Sequence, residues 1–173
     1  MLNKRAKHYL DICMYTVQTI IKIPNRLCAE WLLKNGGGVG LKKLPNKILR
    51  DYNSLPPESN RFPIHTAYAT NSSIMKTGFE HFKGCSDIET VILHSCKHLE
   101  EDGLDGLIYL ENSLKNLQVS ECLNINEDGL KCLKDLKGLQ NLNVFGISYV
   151  EELKSVITYL QKELPSCNIT ATL

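Results

Sequence analysis

The sequence predicts an α/β fold in which about four copies of one short strand–turn–helix unit stack side by side behind a helical N-terminal domain. Two observations lead to this prediction. A 26-residue pattern occurs twice between residues 88 and 147, and a third start follows 25 residues later. Before residue 62, apolar residues recur instead at helical spacing. We therefore divide the chain into a helical N-terminal domain at 1–61 and a repeat domain with a C-terminal cap at 62–173.

The repeated pattern identifies the architecture. The first copy starts at Ile88 and reads Ile-x-x-Val-x-Leu-x-x-Cys-x-x-Leu-x-x-Asp-Gly-Leu. The second starts at Leu114 and reads Leu-x-x-Leu-x-Val-x-x-Cys-x-x-Ile-x-x-Asp-Gly-Leu, and the third, from Leu139, lacks the cysteine. Self-similarity at this period is the signature of leucine-rich repeats, so we expect a short right-handed solenoid. Such a chain usually offers a binding surface and carries no catalytic machinery.

Each part of one copy has a predictable place. Val91 and Leu93 are two residues apart, so both point to the same side of a short strand. Cys96 turns inward where that strand ends, because a small and weakly polar side chain suits a buried bend. Leucines at helical spacing then close the unit from the convex side: Leu104, Leu107 and Leu110. One unit cannot bury its own apolar face, so neighbouring units must stack.

Weaker matches extend the repeats at both ends. A degenerate earlier unit fits at 64–82, with Asn71 in place of the cysteine. Apolar periodicity predicts a helix over 150–164, which Pro165 ends. Alternating apolar residues at 169–173 predict a last short strand.

The first 25 residues permit two interpretations. Apolar residues between Leu10 and Ile21 lie at helical spacing, and Pro24 ends that stretch. The segment is basic, with Asp11 as its one acidic residue before Glu30. A basic, acid-poor amphipathic start is typical of matrix-targeting peptides, and an ordinary first helix of the mature protein is the alternative.

A second helix is predicted from Asn25 to Lys34. Asn25 is its expected N-cap, and Asn35-Gly36 is its expected end. The glycine-rich segment 36–40 fits neither the phosphate-binding pattern that ends in Gly-Lys nor the dinucleotide pattern that follows a strand. We therefore expect a flexible helix end and a turn here.

Composition and residue spacing give no enzyme signature. The net charge of +1 gives no reason to expect nucleic-acid binding, and no run approaches the ~20 apolar residues that span a bilayer. Seven cysteines without paired spacing indicate reduced thiols in an intracellular compartment. His94, Cys96 and His98 lack the second cluster that a zinc site needs, so we expect structural roles. Asp102 and Asp128 are expected to cap turns.

Three further segments carry a family resemblance. Cys28–Leu33, followed by Asn35–Val39, resembles the N-terminal signature of the ATP synthase subunit s family, also called coupling factor B. Asp51–Pro56 resembles the family's Asp-Tyr-Asn-x-Leu-Pro, and 69–81 resembles its first repeat. Neither the Trp-Leu-Leu nor the Asp-Tyr-Asn-x-Leu-Pro element is a general repeat feature. The similarity covers about residues 26–165.

The resemblance implies a location and a role. Family members are mitochondrial and peripheral on the matrix side of the inner membrane. They associate with ATP synthase membrane-sector subunits, where they support proton conduction and limit proton leak. We expect this chain to be a monomer when isolated. The resemblance also implies a Mg²⁺ ion held by backbone groups at Gly36 and Thr70, a hard cation that prefers oxygen ligands. One departure is that the family's Cys-x-Cys pair is His94 and Cys96 here, so no vicinal dithiol forms.

Two other functions share this architecture. One is an assembly factor for the distal membrane arm of respiratory complex I. The other is a ubiquitin-ligase adaptor, which requires an F-box that 1–61 lacks. In every case the strands, predicted at 66–68, 91–93, 117–119 and 142–144, are expected to form a parallel sheet on the concave side of the solenoid. Between the core positions, four side chains are expected to face a partner: Thr90, Ile92, Gln118 and Asn143.

Overall fold

The computed structural model describes residues 24–57, 60, 62–147, 150 and 152–172, and they form an α/β fold around one mixed seven-stranded sheet. The predicted helix between residues 10 and 21, and with it the targeting-like segment, lies outside these residues. The strand order across the sheet is β2-β1-β3-β4-β5-β6-β7. The strands are β1 (Gly38–Leu41), β2 (Leu44–Leu49), β3 (Ile64–Thr70), β4 (Thr90–His94), β5 (Asn116–Ser120), β6 (Asn141–Phe145) and β7 (Asn168–Thr172).

Helices connect these strands on one side of the sheet. The α-helices are α1 (24–34), α2 (Glu127–Lys131) and α3 (Leu153–Glu163), and the 3₁₀ helices are Tyr52–Ser54, Lys76–Phe82, Glu101–Leu110 and Cys132–Asp135. The predicted helix over 150–164 is therefore present but starts at Leu153. In Glu101–Leu110 the buried leucines recur every third residue, which matches the three residues per turn of a 3₁₀ helix. Among the described residues, no helix has the length and apolar character to cross a membrane.

The parallel strands β3 to β7 pair residue for residue. Val91 lies beside Leu117, and Leu117 lies beside Leu142. These inward positions are buried, whereas their neighbours in each strand are more exposed. The predicted strands at 66–68, 91–93, 117–119 and 142–144, and the last strand near 169–171, are thus confirmed. The alternation buries one row of apolar side chains between the sheet and the helices.

A left-handed residue follows each of the strands β3 to β6. Asn71, Ser95 and Glu121 have φ of 52°, and Gly146 has φ of 64°. Each donates its backbone N–H to the carbonyl oxygen of the last residue in the next strand, at 2.9–3.2 Å. This equivalence corrects the prediction that Asn71 replaces the cysteine. The next residue, Ser72, takes that place: it is buried, with its Oγ 3.6 Å from the Sγ of Cys96.

The glycine-rich segment was predicted to be a turn, and that prediction is wrong beyond Gly36. Gly38–Leu41 is strand β1, which pairs antiparallel with both β2 and β3. The reason is close backbone approach: a Cβ on Gly37 would lie 2.5 Å from the carbonyl oxygen of Tyr68. The residues before 62 therefore contribute a hairpin to the same sheet, in addition to the predicted helix.

Helix α1 ends as predicted, and the side chain of Asn25 has a different role from the predicted one. Gly36 has φ of 83°, the Gly37 N–H donates to the Leu32 carbonyl, and the Gly36 N–H donates to the Leu33 carbonyl. This is the hydrogen-bond pattern of a glycine helix end. Asn25, the predicted N-cap, lies within the helix and is 6% exposed. Its Oδ1 instead accepts from the Ile64 N–H at 3.0 Å, which ties α1 to the start of β3.

An aromatic cluster joins α1 to the 3₁₀ helix Lys76–Phe82, which follows β3. The ring of Trp31 contacts Phe79 and Phe82 edge-on, with centroid distances of 5.9 and 5.4 Å, and stacks on His81 at 5.5 Å. Gly78 gives the indole its space, since a Cβ there would lie 2.2 Å from the indole Nε1. The N-terminal helix and the repeats therefore share one hydrophobic core.

Candidate functional site

The strand register gathers the predicted contact residues on one surface. Ile92, Gln118 and Asn143 are direct neighbours on β4, β5 and β6, and Tyr68 on β3 continues the same row. Thr90 lies one row away. We call this surface the ladder face: the first, third and fifth residues of 66–70, 90–94, 116–120, 141–145 and 168–172.

The four predicted residues differ in exposure. Asn143 is exposed, whereas Thr90, Ile92 and Gln118 are half-buried because neighbouring side chains in the sheet shield them. The structure brings all four together on the side of the sheet away from the helices. Sequence reasoning missed Tyr68, although it lies between two alanines spaced by two residues, Ala67 and Ala69, and therefore points to the opposite side of the strand.

An amide chain runs across one row of the ladder face. The Asn141 Nδ2 donates to the Asn116 Oδ1 at 2.8 Å, and the Asn116 Nδ2 donates to the Thr90 Oγ1 at 3.3 Å. These hydrogen bonds cross from strand to strand in one direction. They hold the three side chains in fixed rotamers, so this row is ordered before any partner binds.

A second network lies at the carboxyl ends of the strands. The His94 Nδ1 lies 3.0 Å from the Ser120 Oγ, and the Gln118 Nε2 donates to the same oxygen at 3.0 Å. The His94 Nε2 lies 3.8 Å from a carboxylate oxygen of Glu121, which also accepts from the Ser95 Oγ at 2.8 Å. Ser120 is 0% exposed, so its hydroxyl cannot reach a substrate. The arrangement of serine, histidine and glutamate therefore fixes the edge of the face and is not a hydrolytic site.

The cysteines of the repeats lie in the core, as predicted. Cys96 and Cys122 are both fully buried, and the Cys96 Sγ donates to the Ala69 carbonyl at 3.0 Å. Contact with Cys96, together with burial, raises the pKa of the Cys122 thiol. Within the described part of the chain, no cluster of three or more histidine, cysteine or carboxylate side chains is arranged to hold a metal ion. His98 is exposed and away from the buried Cys96.

Gly36 and Thr70 lie where helix α1 meets the end of β3. The β1–β3 pairing ends at Gly38 and Tyr68, and beyond it the Ser73 N–H donates to the Asn35 carbonyl at 2.9 Å, which joins the two segments. An ideal Cβ on Gly36 would lie 4.0 Å from the Asn71 carbonyl oxygen. The Asn71 carbonyl is a neutral oxygen, the class of ligand that Mg²⁺ accepts.

The prediction that Asp102 and Asp128 cap turns is wrong. Asp102 pairs with Lys76 of the preceding unit, and Asp128 pairs with Lys131 within α2. The cap of α2 is Asn126, whose Oδ1 accepts from the Gly129 N–H at 2.9 Å. These two aspartates are thus engaged in surface ion pairs.

Comparison with known proteins places the chain in a family. No family model matches the sequence. The chain is 33% identical over 154 residues to "ATP synthase subunit s, mitochondrial" of Rattus norvegicus. The aligned residues cover 87% of this chain and 76% of that protein. It is 31% identical over 150 residues to the Homo sapiens protein of the same name, covering 84% of this chain and 74% of that protein. The identity over this shared length shows that this chain belongs to the ATP synthase subunit s family.

Proposed function

We propose that this chain is a non-enzymatic, peripheral subunit of mitochondrial ATP synthase that binds membrane-sector subunits on the matrix side of the inner membrane. The observation that carries the proposal is family membership, since the relatives bear the name of a mitochondrial ATP synthase subunit. The location on the matrix side comes from the family resemblance.

The proposed architecture is a short right-handed leucine-rich-repeat solenoid of about four repeats. Its support is the parallel pairing of β3 to β7, in which equivalent residues follow one another at near-constant intervals: Thr66, Thr90, Asn116, Asn141 and Asn168. The left-handed residue that follows each strand from β3 to β6 supports the same interpretation. In such a solenoid the ladder face is the concave side, where repeat proteins commonly bind their partners.

Within this role, Thr90, Ile92, Gln118 and Asn143 are the proposed contacts. The chain would support proton conduction through the membrane sector and limit proton leak by occupying a surface, without carrying protons itself. The composition of the ladder face supports a role in binding and not in proton transfer. Tyr68 and His94 are the titratable side chains among its positions, and neither is a carboxylate or a lysine or arginine, so the face offers no relay of acidic and basic groups.

A Mg²⁺ ion bound through the backbone at Gly36 and Thr70 is part of the proposal. The neutral donors at the junction of α1 and β3 leave most of an octahedral shell to water, which Mg²⁺ retains readily. When bound, the ion would brace the hairpin against β3. Titration of the full chain with Mn²⁺ as a paramagnetic substitute, followed by NMR, tests this. We expect selective broadening of the amide signals around residues 36 and 70. Equal broadening of all amide signals, or none, would refute the site.

The partner is tested by a tagged pull-down from gently solubilised mitochondria, read by mass spectrometry. We expect enrichment of ATP synthase membrane-sector subunits, and a double Ile92→Glu, Gln118→Glu variant that folds normally should lose it. Enrichment of complex I membrane-arm intermediates would replace the proposal with the assembly-factor function. Capture of ubiquitin-ligase components, or absence from mitochondria, would refute both mitochondrial functions.

The coupling role needs a separate measurement. Inner-membrane vesicles depleted of the endogenous protein should leak protons, and added wild-type chain should restore the proton gradient. The double variant on the ladder face should fail to restore it, whereas Gln161→Glu on the exposed side of α3 should restore it fully. Equal restoration by both variants would refute the assignment of the ladder face to coupling.

A further inference from the structure

The ladder face carries no Asp, Glu, Lys or Arg. Its positions are three on each of the five parallel strands, and their side chains are hydroxyl, amide, aromatic or aliphatic, with His94 as the exception. Charged residues make up 23% of the chain, so a freely solvated face of this size is expected to carry several of them. Depletion of charge is the composition of the centre of a protein–protein interface.

Charges return at both ends of the strands. At the amino ends, Glu89 and Lys115 form an ion pair at 2.9 Å, and Lys42 pairs with Asp87 at 3.4 Å. At the carboxyl ends, Glu121 accepts from the Ser95 Oγ. A neutral centre between two charged borders resembles the core and rim of a binding surface.

The central row has two chemically different halves. Tyr68 and Ile92 offer apolar, half-buried surface. Gln118 and Asn143 offer amides, and the Asn143 side chain has no hydrogen-bond partner within the described residues, which leaves its donor and acceptor free. In the neighbouring row, the side chains of Asn141, Asn116 and Thr90 already hydrogen-bond to one another, so this row forms a preorganised polar border.

We propose that the ladder face binds an uncharged polypeptide segment, with an apolar side chain over Tyr68 and Ile92 and a hydrogen-bonding group at Gln118 and Asn143. A segment with a charged residue would bury that charge without a counter-charge, which is costly. An anionic membrane surface or a nucleic acid would require basic side chains, which the face lacks. This inference rests on the proposed function for the identity of the protein that supplies the segment, but the charge of the segment follows from the face alone.

Opposite-sign substitutions at one position test the charge of the segment. Gln118→Glu and Gln118→Lys should each weaken binding of the full chain to solubilised ATP synthase by about ten-fold or more, because either sign buries an unpaired charge. The matched controls Gln161→Glu and Gln161→Lys, on exposed α3, should bind as wild type does. Wild-type affinity should also vary little with salt. If one sign strengthens binding, or if neither has an effect, the inference is overturned.

A photo-cross-linker at Asn143 separates failure of the inference from failure of the proposed function. The full-length chain with benzoyl-phenylalanine at this position is irradiated on inner-membrane vesicles, and the cross-linked peptide is sequenced. A contact segment without Asp, Glu, Lys or Arg supports the inference whichever protein supplies it. A charged segment, the basic residues 1–23 of this chain, or lipid alone would overturn it. The identity of the parent protein, judged separately, tests the function.

Discussion

Substitution of Gly78 by alanine probes the joint between the N-terminal helix and the repeats. The added Cβ would lie 2.2, 2.5 and 2.6 Å from the Nε1, Cε2 and Cζ2 atoms of Trp31. All three distances are far inside van der Waals contact. The indole cannot move away easily, because Trp31 is 9% exposed and is packed edge-on against Phe79 and Phe82.

The expected cost of Gly78→Ala follows from overpacking. Forcing one methyl group into a closed core typically costs about 1–3 kcal/mol. For a chain of this size, a loss of ~2 kcal/mol lowers the melting temperature by roughly 4–8 °C. Thermal unfolding followed by far-UV circular dichroism measures this shift. Fluorescence reports on the same cluster, since Trp31 is the sole tryptophan of the chain.

A double-mutant cycle identifies the indole as the cause. Trp31→Phe removes the ring atoms that the new methyl group would meet, so Gly78→Ala should cost less in that background by at least ~1 kcal/mol. If the alanine costs the same with tryptophan and with phenylalanine, or costs less than about 0.5 kcal/mol with tryptophan, steric conflict with the indole is not what Gly78 prevents.

Three other predictions concern single contacts. Gly146→Ala places a side chain at φ of 64° and should lower the free energy of unfolding in urea by about 1–2 kcal/mol, and an unchanged midpoint would contradict the left-handed turn. Asn25→Ala leaves the buried Ile64 N–H without its acceptor; we expect a loss of about 2 kcal/mol and faster hydrogen exchange at Ile64, measured by NMR. The hydrogen bond from Arg26 lowers the pKa of Glu30, so stability from this carboxylate is present above its unfolded pKa and is lost as the pH falls through the folded pKa. Glu30→Gln should therefore reduce the pH dependence of unfolding below about pH 4, and an unaltered dependence would refute it.

The sequence by itself determined the repeats. Val91 and Leu93 define a strand through local alternation, and Leu117 and Leu142 recur at the same place in the pattern. Stacked copies must bury the same face, so the parallel strands and the surface that carries Ile92 followed from periodicity alone. The end of α1 at Gly36 was also predictable from local sequence, because a glycine helix end depends on the backbone of a few adjacent residues.

Tertiary structure decided what depends on distant partners. Gly38–Leu41 was expected to be a turn because of its glycines, although Val39 and Leu41 alternate as in a strand. It becomes β1 because it pairs with both β2 and β3, the latter more than twenty residues later. Asn25 caps nothing, because the Ile64 N–H offers its side chain a buried donor. The uncharged ladder face likewise emerges only when the register aligns rows from five strands, since each strand alone contributes just a few neutral residues. Periodicity is a property of adjacent residues, whereas pairing between distant segments is selected by the packing of the whole chain.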